Sequence, residues 1–181
     1  MKKTYLLYSL FLLIPTFVIA QPLDLSFEFQ AYPTGLIPGI QIEKGFGAKD
    51  AVHLRLGYQH IRHGDWGVQE DERGNGYGFS LGYKHYLKEG FAGWFWGLRN
   101  DFWWNTLDWK NNIGELNEIG GTSEIIVIQP TAMAGYLFEL GKTGFFTPTI
   151  AFGFEVNVET EGEEMGQGAI LLLGFEIGKR F

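Results

Sequence analysis

Beyond residue 20 the chain carries three serines (Ser26, Ser80, Ser123), four histidines (His53, His60, His63, His85) and no cysteine. A serine hydrolase or acyltransferase needs a hydroxyl activated by an imidazole that a carboxylate orients. Ser26 and Ser80 fall on the polar face of alternating segments and Ser123 at a loop edge, so the pattern supplies no serine-type nucleophile. His60-Ile-Arg-His63-Gly-Asp65 invites a metal reading. Residues three apart on a strand point to opposite faces, however, and the two imidazoles converge only if a loop has already begun. Glu161, Glu163 and Glu164 offer carboxylate oxygens to Ca²⁺ or Mg²⁺ without the spaced Asp/Asn/Gly ligands of a dedicated loop. The absence of thiols removes both a disulfide framework and a thiolate metal site. The sequence calls for no cofactor, and the chemistry it offers is that of paired charges.

Those charges sit on segments with a period of two, and no segment shows sustained helical periodicity. Leu23, Leu25, Phe27 and Phe29 alternate with Asp24, Ser26, Glu28 and Gln30. A short second strand sets Ile40 and Ile42 against Gln41 and Glu43. Val52 to Tyr58 alternates with His53 to Gln59, and Tyr77 to Tyr83 with Gly76 to Lys84. Trp94, Trp96, Leu98, Phe102 and Trp104 oppose Gly93, Gly97, Arg99, Asp101 and Asn105. The sixth strand sets Ile126 to Phe138 against Gln129 to Glu139. The seventh sets Phe146 to Val158 against Thr147 to Asn157. The eighth runs from Gly168 to Phe181, with Ala169, Leu171, Leu173, Phe175 and Ile177 on one face and Gly174, Glu176, Gly178 and Arg180 on the other.

Eight strands with one greasy and one polar, Gly-rich face suit a barrel wall between lipid and a polar interior. The expected fold is all-β: an eight-stranded antiparallel up-and-down transmembrane barrel over 21–181. Tight connections (Lys44–Gly47, Lys88–Gly90, Gly141–Gly144) alternate with longer, acidic ones at 62–74, 108–123 and 159–167. Short periplasmic turns and longer external loops then place both termini in the periplasm. Tyr32, Tyr58, Tyr77, Trp104 and Trp109 would form the outer aromatic belt. Tyr83, Phe91, Phe146 and Phe181 would form the inner one. A water-soluble sandwich or lipocalin-like barrel also alternates, but would turn its apolar face inward. Trp94-Phe95-Trp96, Leu171-Leu172-Leu173 and the terminal Phe181 favour the membrane.

Residues 1–20 read as a cleaved signal peptide, with Lys2 and Lys3, an apolar Tyr5–Ile14 and the Val18-Ile19-Ala20 site. Their removal takes the formal charge from −7 to −9, because both lysines leave with them. So acidic a chain repels phosphates, which argues against a nucleic-acid partner. The 16 Phe, 8 Tyr, 6 Trp and 26 Gly among only 19% charged residues fit a lipid-facing barrel better than a soluble enzyme.

Across 21–181 the strand count, loop alternation and terminal aromatic resemble the small bacterial outer-membrane barrels of the outer-membrane protein A and X type. That resemblance implies a location in the outer membrane, contact with its lipids, and assembly machinery that reads Phe181. Some barrels of this size deacylate or acylate lipid A. The His-x-Ser pairing of the deacylases and the Asp-Ser pair of the palmitoyltransferase are both absent, since Asp101 precedes Phe102.

An eight-stranded barrel is only wide enough for side chains to fill. The expected interior network is Glu28, Glu43, Arg55, Lys84, Arg99, Asp101, Glu139, Glu155, Glu176 and Arg180, with Gln41, His53 and Gln59, the bases paired to the acids. Two functions remain open. One is a structural or interaction barrel with a closed polar interior, its acidic loops meeting divalent cations or envelope proteins. The other admits a lipid or small hydrophobic ligand through a lateral opening near Pro130, for transport or lipid modification. Pro130 lies inside strand six and Pro148 near the start of strand seven. Neither can donate to a ladder, so each should leave a gap or bulge.

Overall fold

The computed structural model describes residues 21–64 and 67–181. The proposed signal peptide and Asp65 lie outside them. Eight strands follow in order: β1 (Leu23–Tyr32), β2 (Gly35–Gly45), β3 (Asp50–Arg62), β4 (Asp71–Tyr86), β5 (Gly93–Asn111), β6 (Ile119–Leu140), β7 (Gly144–Glu161) and β8 (Gly168–Arg180). Each pairs antiparallel with the next, and β8 returns to β1 to close the barrel. Closure leaves no exposed sheet edge where the ladder is complete. At the terminal end Leu23 and Phe181 exchange backbone hydrogen bonds of 3.3 and 2.9 Å, which pins the last residue into the seam.

Side-chain alternation is the inverse of a soluble protein's. Leu25, Ile40, Leu56, Leu81, Leu98, Phe152 and Leu173 are exposed on the outer wall, whereas Glu28, Arg55, Lys84 and Asp101 are buried. On β7 the apolar outer face runs from Phe146 to Val156. At about 3.3 Å per residue and a tilt of about 40° that is roughly 25 Å of height, the apolar band of an outer-membrane barrel.

Several sequence expectations need correction. β2 is not short: it pairs with β1 along its whole length, from Leu23↔Lys44 to Tyr32↔Gly35. Much of what reads as loop at 62–74 and 108–123 is strand, with β5 and β6 paired from Asn111↔Ile119 down to Gly93↔Leu137. Outside the lipid belt a hairpin has water on its outer face, so its outward residues turn polar and the apolar rhythm is lost. The true connections beyond the belt are 33–34, 63–70, 112–118 and 162–167, against 46–49, 87–92 and 141–143 at the terminal end. Their lengths do not alternate strictly; the asymmetry lies in strand extension. Tyr32 and Phe91 are buried in the interior rather than in the belts, and Trp109 packs against the buried cluster at the outer mouth. Parity decides this, because all three stand on inward positions or in a connection that folds inward.

Each proline inside a strand interrupts one ladder and leaves the other intact. Pro130 pairs with Asn100 of β5, while the β6·β7 ladder skips from Ile128↔Val156 to Thr131↔Gly153. Pro148 pairs with Phe175 of β8, and the same ladder skips from Gly135↔Thr149 to Phe138↔Phe146. Pro38 behaves alike between β2 and β3. The missing N–H removes rungs without shifting register. The one register shift lies higher, where Val158 is passed over between Ile126↔Glu159 and Val127↔Asn157. This bulge turns Glu159 to the outward side, alongside Glu124 and Glu161.

Glycine in the interior makes room for rings directly across the ladder. Phe95 faces Gly135, Phe145 faces Gly178, and Trp103 faces Gly78. The Trp103 indole reaches one strand further: a methyl group at Gly57 would stand 2.9 Å from its Cη2. A flat ring over paired glycines Gly57↔Gly78 fills the lumen with little loss of width.

Candidate functional site: the polar lumen and its outer mouth

At mid-height two guanidinium groups share one carboxylate. Arg99 Nη1 donates to Glu28 Oε1 at 2.9 Å and Arg55 Nη1 to Glu28 Oε2 at 3.2 Å. Both also donate to Gln30 Oε1, at 2.8 and 2.7 Å, and Arg55 Nε donates to Ser80 Oγ at 3.0 Å. Asp101 Oδ1 lies 2.9 Å from Arg99 Nε and 3.3 Å from Arg55 Nη2, within ion-pairing distance but off the hydrogen-bonding direction. Register explains the convergence: Arg55 is opposite Ser80, Ser80 opposite Asp101, and Gly82 opposite Arg99. Trp103 closes this tier, its Nε1 donating to Gln129 Oε1 at 3.0 Å and its ring 5.5 Å from the Arg55 guanidinium carbon.

A second tier lies toward the termini. Lys84 Nζ donates to Glu176 Oε1 at 2.7 Å and pairs with Glu43 Oε2 at 2.8 Å, while Tyr86 donates to Glu43 Oε1 at 2.8 Å. Lowest, Arg180 grips Asp24 with two bonds of 2.8 and 2.7 Å and donates to the Gly90 and Phe91 carbonyls. In the two upper tiers three buried cations meet four buried carboxylates. Each ion is desolvated, so the stack holds only because every member has a partner.

Glu139 does not belong to the network. It keeps the inward parity of β6, but one residue from the strand end, opposite Phe145, and is exposed at the terminal mouth. Glu155 is inside, yet apart from both tiers. Ser80 and Ser123 are engaged by Arg55 and by the Glu163 backbone, with Ser123 Oγ donating to Glu163 O at 3.0 Å. His60 turns outward onto Asn75 and His63 inward onto Glu72, so the two imidazoles diverge.

Glu72 departs from the reading of 62–74 as an acidic external loop, for it is fully buried at the outer mouth. His63 Nδ1 lies 2.5 Å from its Oε2, and the N–H groups of Val68, Gln69 and Gly166 donate to it. Burial works against its charge. The His63 contact and the Gln69 and Gly166 N–H groups outweigh burial and hold the carboxyl below its ordinary value. One carboxylate thereby ties the 63–70 loop to the 162–167 loop. A methyl group on Gly166 would meet Gly67 Cα and His63 Nδ1 at 3.2 Å, so the two loops approach closely at this point. Gln69 adds a bond to the Glu164 carbonyl and accepts one from Asn111, and Met165 is buried beneath.

Sequence reasoning placed Asp24, Gln30 and Gln129 on the polar face but left them out of the network, and it missed Tyr86, Trp103 and the His63–Glu72 pair as members of this interior. Parity would have found Tyr86 and Trp103. Nothing local marks Glu72, whose partners lie on two loops nearly a hundred residues apart.

Fold and site together define a closed eight-stranded β-barrel with an apolar outer belt and an ion-paired polar core. No protein-family model matches the sequence, and no curated protein does. Among solved structures the chain is similar to the N-terminal β-barrel domain of Pseudomonas aeruginosa OprF, at 14% identity and a TM-score of 0.47. That match covers 88% of this chain and 97% of the other. It is also similar to Neisserial surface protein A (NspA), at 10% identity and a TM-score of 0.41, over 88% and 94% of the two chains. The closed register carries the fold assignment.

Proposed function

We propose that this chain is a bacterial outer-membrane barrel serving as a closed wall element and interaction scaffold, with its termini in the periplasm and its extended hairpins outside. The observation that carries the reading is the Glu28–Arg55–Arg99–Asp101 tier, fully buried across the middle of the lumen. Ion-paired side chains there leave no water path wide enough for solute. The roughly 25 Å apolar belt supports a lipid surround. Phe181, held in the seam by Leu23, is presented where assembly machinery would read it. Outward Glu124, Glu159 and Glu161 face the level of lipid headgroups, where divalent cations or envelope proteins would meet them. In planar bilayers the purified barrel should show no steady conductance of porin size; a stable open channel overturns the reading. Cysteine at Asn112 should react with an impermeant thiol reagent on intact cells and cysteine at Lys142 should not.

A second reading has one observation in its favour. A depression of about 760 Å³ on the outer wall is lined by Pro130, Asn100, Leu98, Ala132, Phe152 and Phe154, beside the rungs that Pro130 removes. A lipid chain or small hydrophobic ligand admitted at this break would leave weak hydrogen-exchange protection beside Pro130. Uniform protection along β5–β7, with ligand retention unchanged in Pro130→Ala, removes it.

A further inference from the structure

The seam between β8 and β1 closes over only part of its length. β8 begins at Gly168, but its ladder to β1 starts at Ala31↔Leu173. β1 ends at Tyr32, and the chain turns through Pro33 and Thr34 directly into β2. Gly168 to Leu172 therefore lie beyond the last β1 rung, while Gly168 to Leu172 still pair with β7 on the other side. In lipid, unpaired backbone groups along such an edge are costly unless something covers them.

A cleft of about 260 Å³ occupies the gap. Its outer lip is apolar (Phe152, Ala169, Leu171), and its inner wall carries Tyr32, His63 and Glu155. Glu155 is only 7% exposed. Among the described residues it is the one buried carboxylate with neither a hydrogen bond nor an ion pair, whereas Asp24, Glu28, Glu43, Glu72, Asp101 and Glu176 all have partners. The nearest cationic candidate, His63, is held by Glu72.

We propose that this cleft binds a single-chain amphiphile, lying in the outer half of the bilayer, whose head carries a protonated amine. The ammonium sits on the Glu155 carboxylate beside the Tyr32 hydroxyl, and the chain leaves over Ala169 and Leu171 onto the lipid-facing wall. Charge selects the head: Glu155 and nearby Glu72 repel a phosphate or fatty carboxylate, while a desolvated ammonium–carboxylate pair is stronger than a neutral hydrogen bond. Size selects the chain, since 260 Å³ is below the roughly 300–1,000 Å³ of pockets that enclose drug-sized ligands. The cleft lies above the paired tiers, so binding and a closed lumen are independent and fail independently.

The test uses the mature barrel in lipid nanodiscs with two probes, dodecylamine and dodecanol, each also made with a photoreactive diazirine in the chain. Native mass spectrometry should show dodecylamine retained at least tenfold more tightly than dodecanol, with crosslinks concentrated at 169–171. Glu155→Gln should remove that preference and leave dodecanol unchanged. Equal retention of the two probes, undiminished amine binding in Glu155→Gln, or crosslinks spread evenly around the belt would overturn the proposal. If Glu155→Gln does not fold, Ala169→Trp fills the cleft from the lipid side and should abolish amine retention; undiminished retention there overturns it equally.

Discussion

Glu28 and Glu155 point into the same lumen from strands on either side of β8, one at mid-height and the other near the outer mouth. Glu28 receives two guanidinium groups, and one of them, Arg55, in turn reaches Gln30, Ser80 and the Trp103 ring. Glu155 receives none among the described residues and faces a cleft. The difference follows strand length rather than composition. At the level of Glu28 all eight strands are present, so side chains from opposite walls reach one another. At the level of Glu155 the β1–β2 hairpin has ended, and the wall on that side no longer supplies a partner. A buried carboxylate in this barrel is thus structural where the wall is complete, and available where a strand stops short.

The sharpest way to break the comparison is Glu28→Ala, which removes the carboxylate that both Arg55 and Arg99 hydrogen-bond and leaves the two cations with Asp101 alone between them. It should cost about 3–5 kcal/mol, or prevent folding, read from the urea midpoint of the barrel in detergent. A loss no larger than that of Glu155→Ala would erase the distinction between the two levels. Lys84→Met strands Glu43 and Glu176 and should cost about 3 kcal/mol, of which adding Glu176→Gln recovers part. Additive losses in that double-mutant cycle would mean the pair is not coupled.

Gly57→Ala asks whether the floor beneath Trp103 needs to be bare. The new methyl should cost about 1–3 kcal/mol through overpacking, and much less in a Trp103→Leu background. Glu72→Gln is smaller and local. The loops at 63–70 and 162–167 should become protease-sensitive while the global midpoint moves by less than about 1 kcal/mol, because the paired tiers are untouched. The folded-state carboxyl of Glu72 lies below its ordinary value. Its stabilisation is therefore complete above the usual carboxylate range near pH ~4.3 and lost as pH falls through the lower, folded value. Loop protection in acid hydrogen-exchange series should fall in that direction, and a loss on raising the pH would contradict the assignment. Least of all, Glu118→Gln should leave the midpoint unmoved. Its carboxyl is held low by the Gly114 N–H and by Lys110, but the group is fully exposed and solvent screens it.

Period-two alternation made the wall legible in the sequence. It separated Leu25, Leu56 and Phe152 from Glu28, Arg55 and Lys84 because one face meets lipid and the other cannot. Wherever both faces are apolar or both are wet, that contrast vanishes. Trp94-Phe95-Trp96 and Trp103-Trp104 put rings on both sides, so Phe95 and Trp103 are placed inside only by counting from Arg99 and Asp101, not by their residue type. The hairpins above the belt have polar outer faces, so their strands read as loops.

By itself the sequence determined that the chain alternates along eight segments, that bases and acids share the polar face, and that prolines stand where ladders would lose rungs. Only the tertiary structure decided which acid meets which base, since cross-barrel pairing depends on the stagger with which β8 closes on β1. Closure also set Glu72 between two loops and left Glu155 alone beside an unfinished seam. Period two fixes the face on which a side chain stands, but its height against the opposite wall exists only once the barrel is shut.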